Sequence, residues 1–358
     1  MPYKPLQRLS VGAFSALRRL LDRVRAWIQS SRSLAAWVYP GAGDNSEASY
    51  RKYNGWYFAK LGEQERMLAD RPRMSFYNSA IERHIRPGSR VVDLGTGTGI
   101  LAALAARRGA AKVYAIDHSR ILRHARKLAG HNKLENVEFI ASHSKEFSLD
   151  EPVDAIVHEQ MGDWLFNEAM VANVIDLRDR ILKPGGLILP SRFELYCEPV
   201  KLRDERHVPF IWELNVHGYD YSSLEWNRPQ EPGYYHQRGC DCGMVEHFLA
   251  EPEPVLSFDL QTLGREGLPG EVRFTRTVAR AGRLDGFAVY FVARVDDDLR
   301  LSSSPLDPGR APHWGFQILR CGREHFDAGD AIDATLSAER WPDPDSWRWR
   351  HERRPRAV

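Results

Sequence analysis

The sequence is poor in the features that mark secreted, membrane-spanning or nucleic-acid-binding proteins. It has only four cysteines, and the Cys240–Cys242 pair lacks two further ligands nearby, so neither a disulfide framework nor a metal site is expected. No apolar run approaches the roughly 20 residues that a membrane span needs. Charges nearly cancel, with 50 Lys and Arg against 48 Asp and Glu, which argues against nucleic-acid binding through net charge. We therefore expect a cytoplasmic globular protein.

The N-terminal 48 residues carry a basic amphipathic pattern. Apolar side chains recur at near-helical spacing between Leu6 and Ile28, with arginines between them. Because the arginines interrupt the apolar stretch, a secretory signal is not indicated. We favour a helix that packs against the body of the protein or a second subunit. A helix that docks substrate or lies on a membrane surface through residues 6–28 is the alternative.

The rest of the chain shows two different sequence patterns. From Arg90 onward, short β-branched runs alternate with helical patterns, which is typical of a parallel, doubly wound, Rossmann-like α/β sheet. After Pro190, longer alternating runs predict a mostly antiparallel, barrel-like β-domain with a helical insertion near 210–224. The predicted parts are an N-terminal extension at 1–48, lid helices with the Rossmann-like domain at 49–190, and the β-rich domain at 191–358.

A glycine-rich loop at residues 93–100, Asp-Leu-Gly-Thr-Gly-Thr-Gly-Ile, follows the first predicted strand and opens a helix. Its G-x-G-x-G spacing differs from the G-x-G-x-x-G dinucleotide fingerprint, because Ile100 stands where the last glycine would be. Asp117 ends the next strand, where an acidic side chain accepts hydrogen bonds from ribose hydroxyls. We expect a nucleoside-containing cofactor to bind along this loop, at Asp93, Gly95, Thr96, Gly97, Gly99 and Asp117.

Two glutamates, Glu159 and Glu168, follow the fourth predicted strand and flank a Met-Gly turn. A loop that doubles back would bring both carboxylates into one pocket. Such a pair matches the fixed N–H fork of a guanidinium. An ammonium group has no such fork and cannot use this geometry. Spacing alone does not separate this clamp from two solvated surface glutamates.

Taken together, these motifs resemble those of the protein arginine methyltransferases. Residues 91–101 look like motif I of class I S-adenosylmethionine-dependent methyltransferases, and the Glu-x-Met-Gly…Glu-x-Met loop at 159–170 looks like the family's double-glutamate loop. The segment 182–190 resembles the family sequence that follows it. The resemblance implies methyl transfer from S-adenosyl-L-methionine to a guanidino nitrogen held by Glu159 and Glu168.

The resemblance extends upstream and downstream and implies further roles. Residues 65–73 are similar to the helix that precedes the family's fold, which makes Arg73 the partner of the cofactor carboxylate. Pro312-His313-Trp314 looks like the family's Thr-His-Trp loop, which implies a His313–Asp70 pair that closes the lid and relays a proton. The remaining implied contacts are His118 and Glu146 for the cofactor and Met67, Met170, Trp314 and Tyr57 for the substrate pocket.

The resemblance also predicts the assembly and the product. Residues 211–220, in an arm near 201–235, resemble the family's dimerisation arm, which implies a homodimer. Met67 and Met170 resemble the methionines that accompany asymmetric dimethylation, although the size of this pocket is a matter of packing.

The chain departs from the family in the walls of the pocket. Gln160, Asp163 and Pro312 replace a tryptophan, an aromatic residue and a threonine, and the aromatic N-terminal motif is not matched at 54–58. We therefore expect a substrate other than Arg/Gly-rich tails: free arginine, a guanidino metabolite or an unusual peptide. The alternatives are a small-molecule N- or O-methyltransferase on the same scaffold and a non-catalytic, cofactor-binding partner protein.

Overall fold

The computed structural model describes residues 54–354, which divide into two compact units. Residues 54–63 group with 119–121 in the smaller unit, and residues 64–118 and 122–354 form the larger one. In the smaller unit a helical turn at 54–57 places the Trp56 ring 3.3 Å from the Lys60 ammonium. The predicted extension at 1–48, with its amphipathic pattern, lies outside the described residues.

The α-helices that follow this turn surround or precede a parallel sheet. They are α1 (Leu61–Ala69), α2 (Arg71–His84), α3 (Ile100–Arg107), α4 (Leu122–His131) and α5 (Met170–Ile181). Asp70 separates α1 from α2 because its carboxylate caps the N-terminus of α2, accepting from the Arg73 N–H at 3.0 Å. Pro72 stands in the first turn of α2, where its missing N–H costs no hydrogen bond.

Five strands form the parallel sheet in the order β3-β2-β1-β4-β5. They are β1 (Arg90–Leu94), β2 (Lys112–Asp117), β3 (Val137–Ala141), β4 (Val153–His158) and β5 (Leu182–Leu189). The central strands are apolar on both faces, and Val91, Val92 and Ile156 are fully buried, as expected when helices cover a parallel sheet. The order reverses beside β1, so the loop after β1 lies at the switch point where such sheets bind ligands.

The C-terminal part is antiparallel, as the alternating pattern predicts. Its main sheet has the order β10-β6-β13-β15-β9, with β11 beside β6 and β14 beside β13, and a second sheet has the order β12-β16-β17. The strands are β6 (Arg192–Leu202), β9 (His236–Cys240), β10 (Val245–Phe248), β11 (Pro254–Asp259), β12 (Glu271–Thr277), β13 (Gly282–Arg294), β14 (Arg300–Ser302), β15 (Phe316–Phe326), β16 (Ala331–Ala338) and β17 (Trp347–Arg354).

The segment between β6 and β9 is the predicted arm. It contains 3-10 helices at Ile211–Glu213, Ser222–Asn227 and Pro232–Tyr235, and a small hairpin of β7 (Asn215–Val216) and β8 (Tyr219–Asp220). The helical insertion is therefore a set of short 3-10 turns.

Within residues 54–354, no helix is long and apolar enough to cross a membrane.

Candidate active site

The glycine-rich loop leaves β1 in a conformation that requires glycine. Gly95, Gly97 and Gly99 have φ angles of 73°, 55° and 87°, in the left-handed region that L side chains rarely adopt. The backbone N–H groups of Gly95 and Thr96 both donate to the Ile116 carbonyl of β2, at 2.9 and 3.0 Å. The loop is thereby held close to the end of β2, before α3 begins.

Asp93 and Asp117 fasten this loop from two sides. One oxygen of Asp93 accepts from the Thr96 hydroxyl at 2.6 Å and from the Ala102 N–H at 2.9 Å, and Asp117 accepts from the Gly97 N–H at 3.0 Å. Burial raises the pKa of Asp93 to about 7, although these hydrogen bonds oppose the shift. Within the described chain, the other oxygen of Asp93 has no hydrogen-bond partner.

Arg73 and Glu159 form a buried ion pair next to the loop. The guanidinium donates to Glu159 Oε2 at 2.6 Å and to the Met67 carbonyl at 2.9 Å, and the Glu159 side chain is only 10% exposed. Burial favours the neutral form of Arg73, but the charge of Glu159, aided by Tyr77 and Asp70, outweighs it and raises the pKa of the guanidinium. The Glu159 carboxylate therefore already binds a guanidinium in this structure.

Tyr77 interacts electrostatically with both predicted clamp residues. Its ring is fully buried, one turn after Arg73 on α2, and its hydroxyl donates to the His158 carbonyl at 3.0 Å. Burial and the negative charge of Glu159 raise the pKa of this hydroxyl well above its usual value, and Glu168 adds to the effect. Both glutamates thus act on one buried phenol, which sequence reasoning missed; its i, i+4 spacing from Arg73 was the available signal.

The loop that carries the two glutamates doubles back, as the sequence suggests. Leu165 N–H donates to the Gly162 carbonyl at 2.8 Å, closing a tight turn. A Cβ at position 162 would lie 1.5 Å from Asn167 Oδ1, so any other residue there would displace the Asn167 side chain. Glu168 is half-buried and stands two residues before α5, at whose start Met170 is fully buried.

The loop at 312–315 is fixed to α2 and to the glutamate loop. Asp70 accepts from the backbone N–H of His313 at 2.8 Å, Trp314 Nε1 donates to the Met161 carbonyl at 2.5 Å, and Gly315 N–H donates to Asp163 at 3.0 Å. The structure thus brings Asp70 and His313 together, but the contact it shows is to the backbone. The imidazole packs edge-to-face against the buried Trp314 ring, with centroids 5.3 Å apart. Asp163 is a second anchor that sequence reasoning did not assign.

The other predicted residues fall in several places. The exposed His118 packs its ring 5.6 Å from His143, and Glu146 is exposed in the turn after β3. Met67 is buried in α1, whereas Tyr57 belongs to the smaller unit, where its ring meets Phe58 edge-to-face. Among residues 54–354, no cluster of His, Cys, Asp or Glu is arranged to hold a metal ion.

A parallel sheet with a glycine loop at its switch point, followed by an antiparallel β-domain, has a Rossmann-like architecture, and the family match assigns it to the methyltransferases. Residues 91–186 match a family model described as a methyltransferase domain. The protein arginine N-methyltransferase PRMT10 of Arabidopsis thaliana is 36% identical over 342 residues, covering 84% of this chain and 86% of that relative. The chain belongs to the protein arginine N-methyltransferase family.

Two further comparisons agree with this membership. The probable protein arginine N-methyltransferase 6 of Arabidopsis thaliana is 36% identical over 242 residues, and the match spans 65% of this chain and 54% of that relative. A crystal structure of Arabidopsis thaliana protein arginine methyltransferase 10 in an open conformation is 28% identical, with a TM-score of 0.67, and covers 81% of this chain and 92% of that one. The predicted enzyme class, a methyltransferase that uses S-adenosylmethionine, is confirmed.

Proposed function

We propose that this protein methylates a guanidino nitrogen of arginine, in a protein or peptide or as free arginine, with Glu159 and Glu168 as the clamp. One observation carries the proposal: the buried carboxylate of Glu159 binds the guanidinium of Arg73 at 2.6 Å. A buried, charged carboxylate of this kind suits the recognition of a guanidinium and supports the proposed clamp. Glu168, which acts on the same Tyr77 hydroxyl, supplies the second carboxylate.

The residues around the glycine loop fit S-adenosylmethionine. The loop presents three glycines at positive φ, and the buried Asp93 Oδ1 and Arg73 Nε have no partner within the described residues. In the proposed complex Asp117 holds the ribose hydroxyls and Arg73 holds the carboxylate. The other contacts are Asp93, Gly95, Thr96, Gly97, Gly99, His118 and Glu146. When bound, S-adenosylmethionine supplies a methyl group on a positively charged sulfur.

The two glutamates orient the guanidinium and keep its charge away from the reacting nitrogen. Each accepts hydrogen bonds from guanidinium N–H groups, so the positive charge concentrates on the nitrogens that they bind. The third nitrogen is held for in-line attack, and positioning of this kind supplies much of the rate. Met67, Met170, Trp314 and Tyr57 form the walls in this proposal. The released proton passes to a glutamate or to His313, which Asp70 holds in place through its backbone.

The arm supports a homodimer. Its tip exposes large apolar side chains, with Trp226 85% exposed, Tyr219 74% exposed and Val216 also exposed. Apolar surface of this kind marks an interface with another protein, and a second copy of the chain is the proposed partner. In sedimentation velocity runs, the Trp226→Ser/Tyr219→Ser double variant should shift from dimer to monomer. A wild-type protein that sediments as a monomer at micromolar concentration would refute the assignment.

Mass spectrometry of the reaction products tests the chemistry. The purified protein is incubated with S-adenosylmethionine and either free arginine or an arginine-containing peptide, which separates the two substrate classes. Glu159→Gln and Glu168→Gln should each lower turnover by at least about a hundredfold, because the amide removes the charge that the guanidinium needs. Glu82→Gln, at an exposed position on α2, is the matched control. Unchanged turnover in Glu168→Gln would refute the clamp.

A further inference from the structure

A groove of about 450 Å³ lies at the root of the arm and shares no lining residue with the candidate active site. Its walls come from the start of the arm, from residues 228–235, from β15 at 320–322 and from β17 at 347–351. All of these belong to the larger unit. We call this cavity the arm-root groove; its volume lies within the range of about 300–1,000 Å³ that small-ligand sites have.

The lining of the arm-root groove is basic and aromatic. Arg228, Arg320, Arg348, Arg350 and His351 line it, whereas none of its described lining residues is an aspartate or a glutamate. The aromatic lining residues are Phe210, Trp212, Tyr235, Trp347 and Trp349. In a chain whose positive and negative side chains almost balance, this local excess of cations is a specific feature of the groove.

Three of the four arginines lack an acidic partner. Within residues 54–354, Arg320, Arg348 and Arg350 form no ion pair, whereas Arg228 pairs with Glu225. Arg320 donates only to the Val208 carbonyl, at 3.1 Å, and Arg348 donates to the carbonyls of Asp345 and Trp347. Burial lowers the pKa of Arg320, and the opposing effects of Tyr234, Glu213 and Tyr235 do not outweigh it.

The Arg320 guanidinium packs its face against an aromatic ring, which leaves N–H groups at its edge able to bind a ligand. Its guanidinium carbon lies 4.0 Å from the Phe210 ring centroid, and Phe210 stacks on Trp212 with 4.7 Å between centroids and 11° between planes. Arg228 lies 5.2 Å from the centroid of the Trp212 ring. Stacking uses the face of a guanidinium and leaves N–H donors at its edge for an anion.

We propose that the arm-root groove binds an organic anion that carries a flat ring, of about the size of a nucleoside monophosphate. The anionic group accepts charge-assisted hydrogen bonds from Arg320 and Arg350, and the ring contacts the aromatic walls. This assignment is independent of the methyl-transfer site, because the groove shares no lining residue with Glu159, Glu168 or the glycine loop.

Isothermal titration calorimetry tests the proposal on the full-length protein. The probes are guanosine 5′-monophosphate, guanosine and inorganic phosphate, each titrated with S-adenosylhomocysteine at saturation so that the methyl-transfer site does not compete. The nucleotide should bind at least about tenfold more tightly than either fragment, because only it offers both the charge and the ring.

Two variants locate the binding. Arg320→Gln and the exposed Arg350→Gln should each weaken nucleotide binding by about tenfold or more, whereas Arg265→Gln, an exposed arginine outside the groove, should not change it. Arg350→Gln keeps the test decisive even where loss of the Arg320 stack disturbs the fold. Phosphate binding as tight as nucleotide binding, no detectable nucleotide binding, or affinity unchanged in both variants would each overturn the proposal.

Discussion

The Asp70 carboxylate joins the start of α2 to the loop at 312–315, so its removal gives a well-defined test. One oxygen caps α2 through the Arg73 N–H at 3.0 Å, and the other accepts from the His313 N–H at 2.8 Å. The side chain is 3% exposed, so water does not replace it easily. Asp70→Ser keeps an oxygen that can cap the helix but is too short to reach the loop at 312–315. Asp70→Ala removes both contacts.

The expected magnitudes follow from these two hydrogen bonds. Loss of the contact to His313 leaves a partly buried N–H without its acceptor, which costs about 1–3 kcal/mol. Loss of the helix cap costs about 1 kcal/mol more. We therefore expect the free energy of unfolding to fall by about 1–3 kcal/mol in Asp70→Ser and by about 2–4 kcal/mol in Asp70→Ala.

Urea denaturation followed by tryptophan fluorescence measures both free energies. The pH profile of kcat distinguishes a structural role of Asp70 from a role in proton transfer. If the carboxylate only fastens the loop, Asp70→Ser keeps the wild-type profile at reduced kcat. If it relays a proton with His313, the profile loses one ionisation. Stability within about 0.5 kcal/mol of wild type in both variants would refute the structural reasoning, because it would mean that neither hydrogen bond matters.

Three further predictions follow from single sites. Gly97→Ala should weaken S-adenosylhomocysteine binding by about tenfold in calorimetry, because φ is 55° and the new Cβ would lie 3.0 Å from Gln64 Oε1; Gly130→Ala, with open space around it, is the control. Burial lowers the pKa of His158 to about 4, so its contribution to stability is complete above pH 6.5 and lost as the pH falls toward 4. Between pH 7 and pH 4, the free energy of unfolding measured in urea should therefore fall by about 3 kcal/mol less in His158→Gln than in the wild type. An equal fall in both proteins would contradict this. Arg276→Met should lower the free energy of unfolding in urea by about 3–5 kcal/mol because it strands the fully buried Glu198, whereas the exposed Arg273→Met on the same strand should change it little.

Periodicity and glycine spacing predicted most of the architecture. The alternation of strands and helices after Arg90 indicated the parallel sheet, and the runs after Pro190 indicated antiparallel strands, because side-chain burial imposes these periods directly. The glycine loop was predictable for a related reason: its backbone angles exclude other residues. The Met-Gly turn at 161–162 suggested that the loop between Glu159 and Glu168 could fold back, and the structure has a turn from Gly162 to Leu165.

Contacts made through the backbone were not predictable. The family resemblance implied a pair between Asp70 and His313. In the structure the Asp70 carboxylate accepts a hydrogen bond from the backbone N–H of His313, which any residue except proline could supply. Tyr77 belongs to no motif, and the two carboxylates that raise its pKa are far away in sequence. The arm contains 3-10 turns and a hairpin because glycine and proline interrupt the segment at Gly218, Pro229 and Pro232.

The cofactor loop and its neighbour Arg73 contain buried polar atoms that lack hydrogen-bond partners among the described residues. Asp93 is buried with a pKa of about 7, so its ionised form destabilises the folded state at neutral pH, and one of its oxygens lacks a partner within the described chain. The Nε of Arg73 has no hydrogen-bond partner among the described residues, and its guanidinium is paired with Glu159, the proposed substrate ligand. A ligand carboxylate that takes over Arg73 would free Glu159 for a guanidinium. We therefore propose that the methyl donor binds before the arginine, because it would release Glu159 from its ion pair with Arg73.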